Sequence, residues 1–191
     1  MRTAEPLRPD LARELLVRAA QSAARRAKRV RNHLDAVQLG QDRHADHADT
    51  KVLRRILAEH DWPGHRLVGP EAARAAWSIA LHADGEPDFQ RAATTLLKRA
   101  VQDDDARIQH WAHLHDRALV NSRRPQEFAT QLVLNAAGVE LCPLRAPESL
   151  DQRRTAVGLP PIAVALEKVR RRYAPDRHAG DSPTVVLAGA A

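Results

Sequence analysis

Cysteine occurs once in the 191 residues, at Cys142, and tyrosine and methionine also occur once each. A lone thiol cannot close an internal disulfide, so nothing in the chain calls for an oxidising compartment. Aromatic residues make up only 3% of the chain. The core is therefore left to leucine, alanine, valine and isoleucine, and no series of rings is available for stacking nucleic-acid bases. No run approaches the roughly 20 apolar residues that span a bilayer, and the closing TVVLAGAA is about half that length. The opening MRTAEPLRPD lacks the apolar core of a secretion signal. A cytoplasmic protein with no membrane partner is the expectation. Chemical signatures are missing as well: there is no glycine-rich phosphate loop, no Gly-x-Ser-x-Gly elbow, no His-Glu-x-x-His and no cysteine pair. No cofactor is implied.

What is present is ordinary globular material, 43% hydrophobic and 28% charged. The abundance of alanine, leucine and arginine favours helix, because these side chains lose little freedom there. The formal charge of +6 is unevenly spread. Residues 1–38 carry nine Lys/Arg against Glu5, Asp10, Glu14 and Asp35, and residues 165–178 carry five against Glu167 and Asp176. The stretch between them is slightly acidic.

Apolar residues recur at helical spacing from 10 to 38 through Leu11, Leu15, Ala19, Ala23, Ala27, Val30, Leu34 and Val37, with Asp10 as N-cap and Gly40 as the stop. The polar segment 41–49 reads as a loop. A second helix runs from Asp49 to His60. Gly69-Pro70-Glu71 starts a third, which reaches Ala83, because proline suits the first helical position and an acid suits the first turn. A fourth covers 87–102, and a fifth, capped by Asp103-Asp104-Asp105, runs to Val120. Thr130–Leu134 and Val139–Leu141 read as a small β-hairpin around a four-residue loop. Short helices follow near 148–156 and 161–173. The expected fold is mostly α, an antiparallel helical bundle or an array of helical hairpins, with that hairpin near 130–142. Its organisation would be a basic N-terminal helix (1–40), a helical core domain (41–174) and a disordered tail (175–191).

Candidate chemistry has to be sought in polar residues on otherwise apolar helices. His82 falls near the inward stripe at the end of the third helix, where it is either a general acid or base or a cap for the last carbonyls. Asp116 and Arg117 point about 100° apart on their helix and so seek separate partners. Arg117 could clamp an anion through its planar fork, or close a structural ion pair. Gln126, Thr130 and Gln131 would bind a ligand edge or satisfy loose backbone groups. The histidines include His44 and His47 in a ligand-rich segment and the pair His110 and His113, but no subset has a recognised zinc spacing, and no metal is expected. Arg25, Arg26, Lys28, Arg29 and Arg31, with Arg170, Arg171 and Arg172, offer phosphate-rich partners a basic surface, or form solvated helix faces.

An ordered set of motifs runs through residues 46–160: Asp46, Trp62-Pro63, Val68-Gly69, His82-Ala83-Asp84, Pro87-Asp88-Phe89-Gln90, Asp116-Arg117, Pro125-Gln126, Thr130-Gln131, Asp151 with Arg153-Arg154, and Gly158-Leu159-Pro160. In order and spacing this set resembles a bacterial family catalogued as a domain of unknown function. The resemblance carries no reaction. It implies that Asp46, His82, Asp84, Asp116, Arg117, Gln126, Thr130 and Gln131 belong to a shared polar pocket or to a buried network. The chain departs from the family pattern at Asp61, where glycine precedes Trp-Pro, at Leu81, where glutamine precedes histidine, and at Phe128-Ala129, where Tyr-Gly precedes Thr-Gln.

Two functions of different kinds follow. One is a pocket for a small anionic molecule, with hydrolysis as its candidate reaction, His82 as general base oriented by Asp116, Arg117 holding the anion, and water as the attacking group. The other is a non-enzymatic interaction module whose basic ends bind nucleic acid or an acidic protein. Self-association through the helix at 10–38 is a third possibility.

Overall fold

A computed structural model describes residues 5–31, 36–135, 138–172 and 185–188. The fold is mostly α with a small antiparallel sheet. The chain divides at Arg107 into two compact units, Met1–Arg107 and Ile108–Ala191.

The N-terminal unit holds four helices, α1 (Pro9–Arg31), α2 (Ala36–His60), α3 (His65–Leu81) and α4 (Pro87–Gln102). The central one is α3, which packs against the other three. Its alanines make this possible: Ala72, Ala73, Ala75, Ala76 and Ala80 are all buried, and small side chains let neighbouring backbones approach. Leu11 and Leu15 of α1, Leu53, Ile56 and Leu57 of α2, and Phe89, Ala93 and Leu97 of α4 complete the core. Proline does open the main part of α3 as expected, because the helix is broken at Gly69, with φ 80° and ψ 162°, and resumes at Pro70. Only glycine adopts that backbone without strain.

The segment 41–49 is helical, not a loop, and lies inside α2. The first helix ends by Arg31. Residues 32–35, which hold Leu34, lie outside the described residues. Ala19 is half-buried and Ala23 and Ala27 are exposed, so the buried apolar stripe of α1 fades after Leu15; Val37, in α2, is exposed too. Beyond that point α1 and α2 meet through charges. Arg29 pairs with Asp42 and Asp46 (2.7 Å each), Arg25 with Asp46 (3.1 Å) and Asp49 (2.6 Å), and Arg18 with Asp49 (3.1 Å). As one partner number rises the other falls, so the two helices run antiparallel. A reading based on hydrophobic periodicity has no purchase on a seam built from arginine and aspartate.

The aspartates 103–105 do not cap α5, which begins at Ile108. Asp105 turns back instead to the start of α3. Its backbone oxygen accepts the His65 N–H (2.9 Å) and its carboxylate the Arg66 N–H (2.8 Å). Gly64 has to be glycine for this, because a Cβ there would lie 2.6 Å from the Asp105 backbone oxygen.

The C-terminal unit comprises α5 (Ile108–Asn121), β1 (Gln131–Asn135), β2 (Gly138–Leu141), a single 3₁₀ turn (Pro147–Ser149), α6 (Leu150–Ala156), α7 (Ile162–Arg172) and β3 (Val185–Ala188). The hairpin of β1 and β2 is tighter than expected: Asn135 pairs with Gly138, leaving a two-residue connection. A third strand, β3, pairs antiparallel with the other edge of β1. It falls within 175–191, where disorder was expected; the other residues of that stretch lie outside the described residues. Ala112, Phe128, Val157 and Leu159 form the apolar cluster of this unit, with Ile108 and Trp111 against it. Among the described residues no helix is long and apolar enough to cross a membrane.

Two glycines should respond to alanine in opposite directions. Gly64→Ala forces apart the Asp105 junction and should destabilise the protein by about 1–3 kcal/mol. At Gly40, inside α2, an added Cβ meets nothing within 4 Å. Gly40→Ala should therefore stabilise by about 0.5–1 kcal/mol through helix propensity. Urea midpoints of the two variants check both signs.

Candidate functional site

Each unit holds one polar constellation, and the residues singled out in the sequence divide between them. Asp46, His82 and Asp84 lie in the N-terminal unit with Arg25, Arg26, Lys28 and Arg29. Asp116, Arg117, Gln126, Thr130 and Gln131 lie in the C-terminal unit.

In the N-terminal unit Asp46 is a bridge between two arginines, Arg25 and Arg29. Burial lowers the proton affinity of both guanidinium groups, but their bonds to Asp49, Asp46 and Asp42 more than offset this and the pKa of each is raised. Arg26, on the next face of α1, differs. It is half-buried, and among the described residues it meets only hydroxyls: Nη1 donates to Ser22 Oγ (2.6 Å) and Nη2 to Ser78 Oγ (3.4 Å). Burial pushes its pKa down; Arg25 and Arg29 push the same way, while Asp46 and Asp84 act against them from beyond contact distance. Arg25 Nε, one residue away, is buried with no hydrogen-bond partner among the described residues.

His82 stands one turn beyond Ser78, at the C-terminal end of α3, and its backbone N–H bonds the Ser78 and Ile79 carbonyls. The ring is half-buried and Asp84 is exposed. The capping of this helix end falls to Gln90 of α4, fully buried, whose Nε2 donates to the carbonyls of Ala80 (3.1 Å) and Leu81 (3.2 Å). An amide thus satisfies the carbonyls that a capping histidine was expected to meet.

In the C-terminal unit the fully buried Asp116 collects the loop 125–130. Oδ1 accepts the N–H groups of Glu127 (2.8 Å) and Phe128 (3.1 Å); Oδ2 accepts the N–H of Thr130 (3.0 Å) and its hydroxyl (2.9 Å). Burial pushes the carboxyl pKa up, and these donors pull against it. A carboxylate has about four accepting sites, and the loop fills them. Arg154 of α6 takes the other side of the same loop, donating to the carbonyls of Phe128 and Ala129 and, through Nε, to Pro160 (2.7 Å). The loop is held between an anion on its N–H groups and a cation on its carbonyls. At its turn Ala129 sits at φ 52°, the left-handed region, and this is one of the positions where the resemblance places glycine.

Gln126 is equally committed. Its Nε2 donates to the carbonyls of Gln131 and Cys142 (3.0 Å each), and its Oε1 accepts the Gln131 N–H (2.9 Å), so one amide ties β1 to the end of β2. Gln131 donates to the His113 carbonyl (3.2 Å) and to Thr130 Oγ1 (3.0 Å) and accepts Arg117 Nη1 (3.4 Å). With Gln131 donating to it, the Thr130 hydroxyl passes its own proton to Asp116. Cys142 is buried, which pushes its thiol pKa up and makes it a poor nucleophile.

The remaining basic residues are peripheral. Lys28 is exposed, and the Arg31 side chain lies outside the described residues. Arg170, Arg171 and Arg172 are exposed in the last turn of α7, where cations suit the helix dipole, and Arg171 pairs with Glu167 (2.7 Å). Among the described residues no group of three or more His, Cys, Asp or Glu is arranged to hold a metal ion.

Sequence reasoning passed over Ser22, Gln90 and Arg154 as site residues. Arg154 and Gln90 left a signal, as parts of the Arg-Arg and Pro-Asp-Phe-Gln motifs, but neither was given a role. Ser22 and Gln90 are single polar residues in apolar stripes, whose meaning depends on what faces them.

Asp116→Asn keeps the shape of the side chain but sets an NH₂ donor against backbone donors. It should lower stability by about 2–4 kcal/mol, and an unchanged melting temperature would remove the clamp from this account. His113 is 2% exposed, and burial, with His110 and Arg154 adding to it, lowers its pKa from 6.5 to about 4. The folded protein resists protonation that the unfolded chain accepts, so stability present above pH 6.5 should be lost as the pH falls toward 4, by up to about 3 kcal/mol. Melting curves of wild type and His113→Gln from pH 8 to 4 should diverge on the acid side, with the variant flatter.

Neither curated proteins nor solved structures gave a significant match. Residues 9–174, by contrast, match a family model over most of the chain. That span takes in α1 to α7, and with it the arginine–aspartate seam, His82 and the Asp116 loop; the chain belongs to the family of unknown function DUF6624.

Proposed function

We propose that this protein binds a small anionic molecule in its N-terminal unit, at Arg26, with Ser22, Ser78 and His82 around it. The observation that carries this reading is the half-buried Arg26 guanidinium, which meets two hydroxyls and no carboxylate among the described residues. Withdrawing a cation from water without a counter-ion is costly, and proteins keep such groups where an anion arrives from outside. Neighbouring Arg25 and Arg29 are neutralised by Asp42, Asp46 and Asp49 and add little free charge. In this reading Asp46 is a positioning residue that holds Arg25 and Arg29 in place. His82, one turn beyond Ser78, is the group able to exchange a proton with a bound ligand, and activation of water by it is the hydrolytic extension of the proposal. Asp116 has no accepting site left for orienting an imidazole, so its part is to hold the 125–130 loop.

The alternative, a basic surface for nucleic acid, loses support from the same geometry. Arg25 and Arg29, two members of the basic cluster of α1, are turned onto aspartates.

The test is a thermal-shift screen of the full chain against anionic, neutral and cationic metabolites. Anionic compounds should raise the melting temperature of wild type, and Arg26→Gln should abolish the shift while leaving the unliganded protein as stable or more so, because it removes an uncompensated charge. Absence of any anion-dependent shift, or a strong loss of intrinsic stability in Arg26→Gln, would overturn the reading. Retardation of nucleic acid at low salt that is lost on neutralising Arg170, Arg171 and Arg172 would favour the alternative.

A further inference from the structure

We infer that the anion taken by this site is a tetrahedral oxyanion, a phosphate or sulfate group free or as a monoester, rather than a carboxylate. The inference rests on the proposed anion site and names its ligand class. It comes from counting donors and acceptors around Arg26.

Both serines accept a hydrogen bond from the guanidinium, so each must send its own hydroxyl proton elsewhere. A helical serine or threonine commonly returns that proton to the carbonyl one turn earlier. Thr50, Thr94, Thr95 and Thr155 do so here, donating to Asp46, Gln90, Arg91 and Asp151. Ser22 and Ser78 make no such bond among the described residues. Ser22 is also 5% exposed, so bulk water does not readily satisfy it. Around Arg26 there are therefore two hydroxyl donors with undirected protons and the guanidinium N–H groups not spent on the serines.

Every one of these groups donates. A neutral ligand such as an amide or a sugar brings donors of its own and would set donor against donor. A carboxylate brings two oxygens in one plane. The hydroxyls here come from two different helices, Ser22 of α1 and Ser78 of α3, with the guanidinium between them. Donors on two sides of a planar fork suit three or more oxygens pointing in different directions, the geometry of a phosphoryl or sulfuryl group. The local charge agrees: Asp46, the aspartate that acts most strongly on Arg26, is itself bound to Arg25 and Arg29, and Asp84 adds a weaker pull.

Isothermal titration of the full chain with inorganic phosphate, sulfate and acetate at constant ionic strength tests this. Phosphate and sulfate should bind at least tenfold more tightly than acetate. Ser22→Ala and Ser78→Ala should each weaken phosphate by about tenfold while changing acetate little, since a hydrogen bond to a charged group carries about that much. Arg26→Lys, which keeps the charge and loses the fork, should also weaken phosphate by tenfold or more. Circular dichroism melts of the same variants show that they are folded. If acetate binds as well as phosphate and the serine variants are neutral, the tetrahedral assignment falls while the anion site stands. If none of the three anions binds wild type, or all bind Arg26→Gln unchanged, both fall.

Discussion

The N-terminal unit depends on a seam where two helices meet through charge instead of oil. Arg18, Arg25 and Arg29 recur along one face of α1, Asp42, Asp46 and Asp49 along one face of α2, and each arginine reaches at least one aspartate. Isolated exposed ion pairs contribute little. These are shared, so that removing Asp46 or Asp49 takes one partner from each of two arginines, and Asp49 is only 5% exposed. Uncompensated charge left near the core costs far more than an intact pair contributes. The seam also sets the position of Arg26. Its neighbours are drawn toward α2, and it is turned toward α3 and Ser78.

Most of the fold was legible in the sequence, and the places where it was not share a cause. Helices α3 to α5 follow apolar spacing, and Gly69-Pro70 announced its helix start because both residues restrict the backbone in known ways. The hairpin was visible in the short apolar runs on either side of Asn135-Ala136-Ala137-Gly138. The first two helices were misjudged because QDRHADHAD contains no apolar residue larger than alanine. Periodicity was present there, but in the aspartates, and its complement lay in the arginines some twenty residues earlier. Strand β3 was hidden for a different reason: four apolar residues near a Gly- and Ala-rich end carry little information until an open strand edge offers them a partner.

The candidate site was legible as a set of residues and not as a set of roles. Asp116, Gln126, Thr130 and Gln131 do meet, yet the bonds they make hold backbone or one another. A sequence cannot distinguish a buried amide that waits for a ligand from one that replaces a missing strand, as Gln126 does. Asp61 and Ala129 both adopt positive φ, 56° and 52°. Aspartate is among the side chains that tolerate this region, and the alanine is held there by Asp116 and Arg154 on either side of its loop.

A leucine seam is forgiving of sliding, since one methyl group serves a hole much as another does. The arginine–aspartate teeth between α1 and α2 have no such tolerance. Moving either helix by a single turn would leave a terminal tooth of each row facing nothing, so the two rods can engage in only one registration. For the polar first half of α2, which precedes the apolar Leu53, Ile56 and Leu57, this vernier fixes rotation and height against its neighbour.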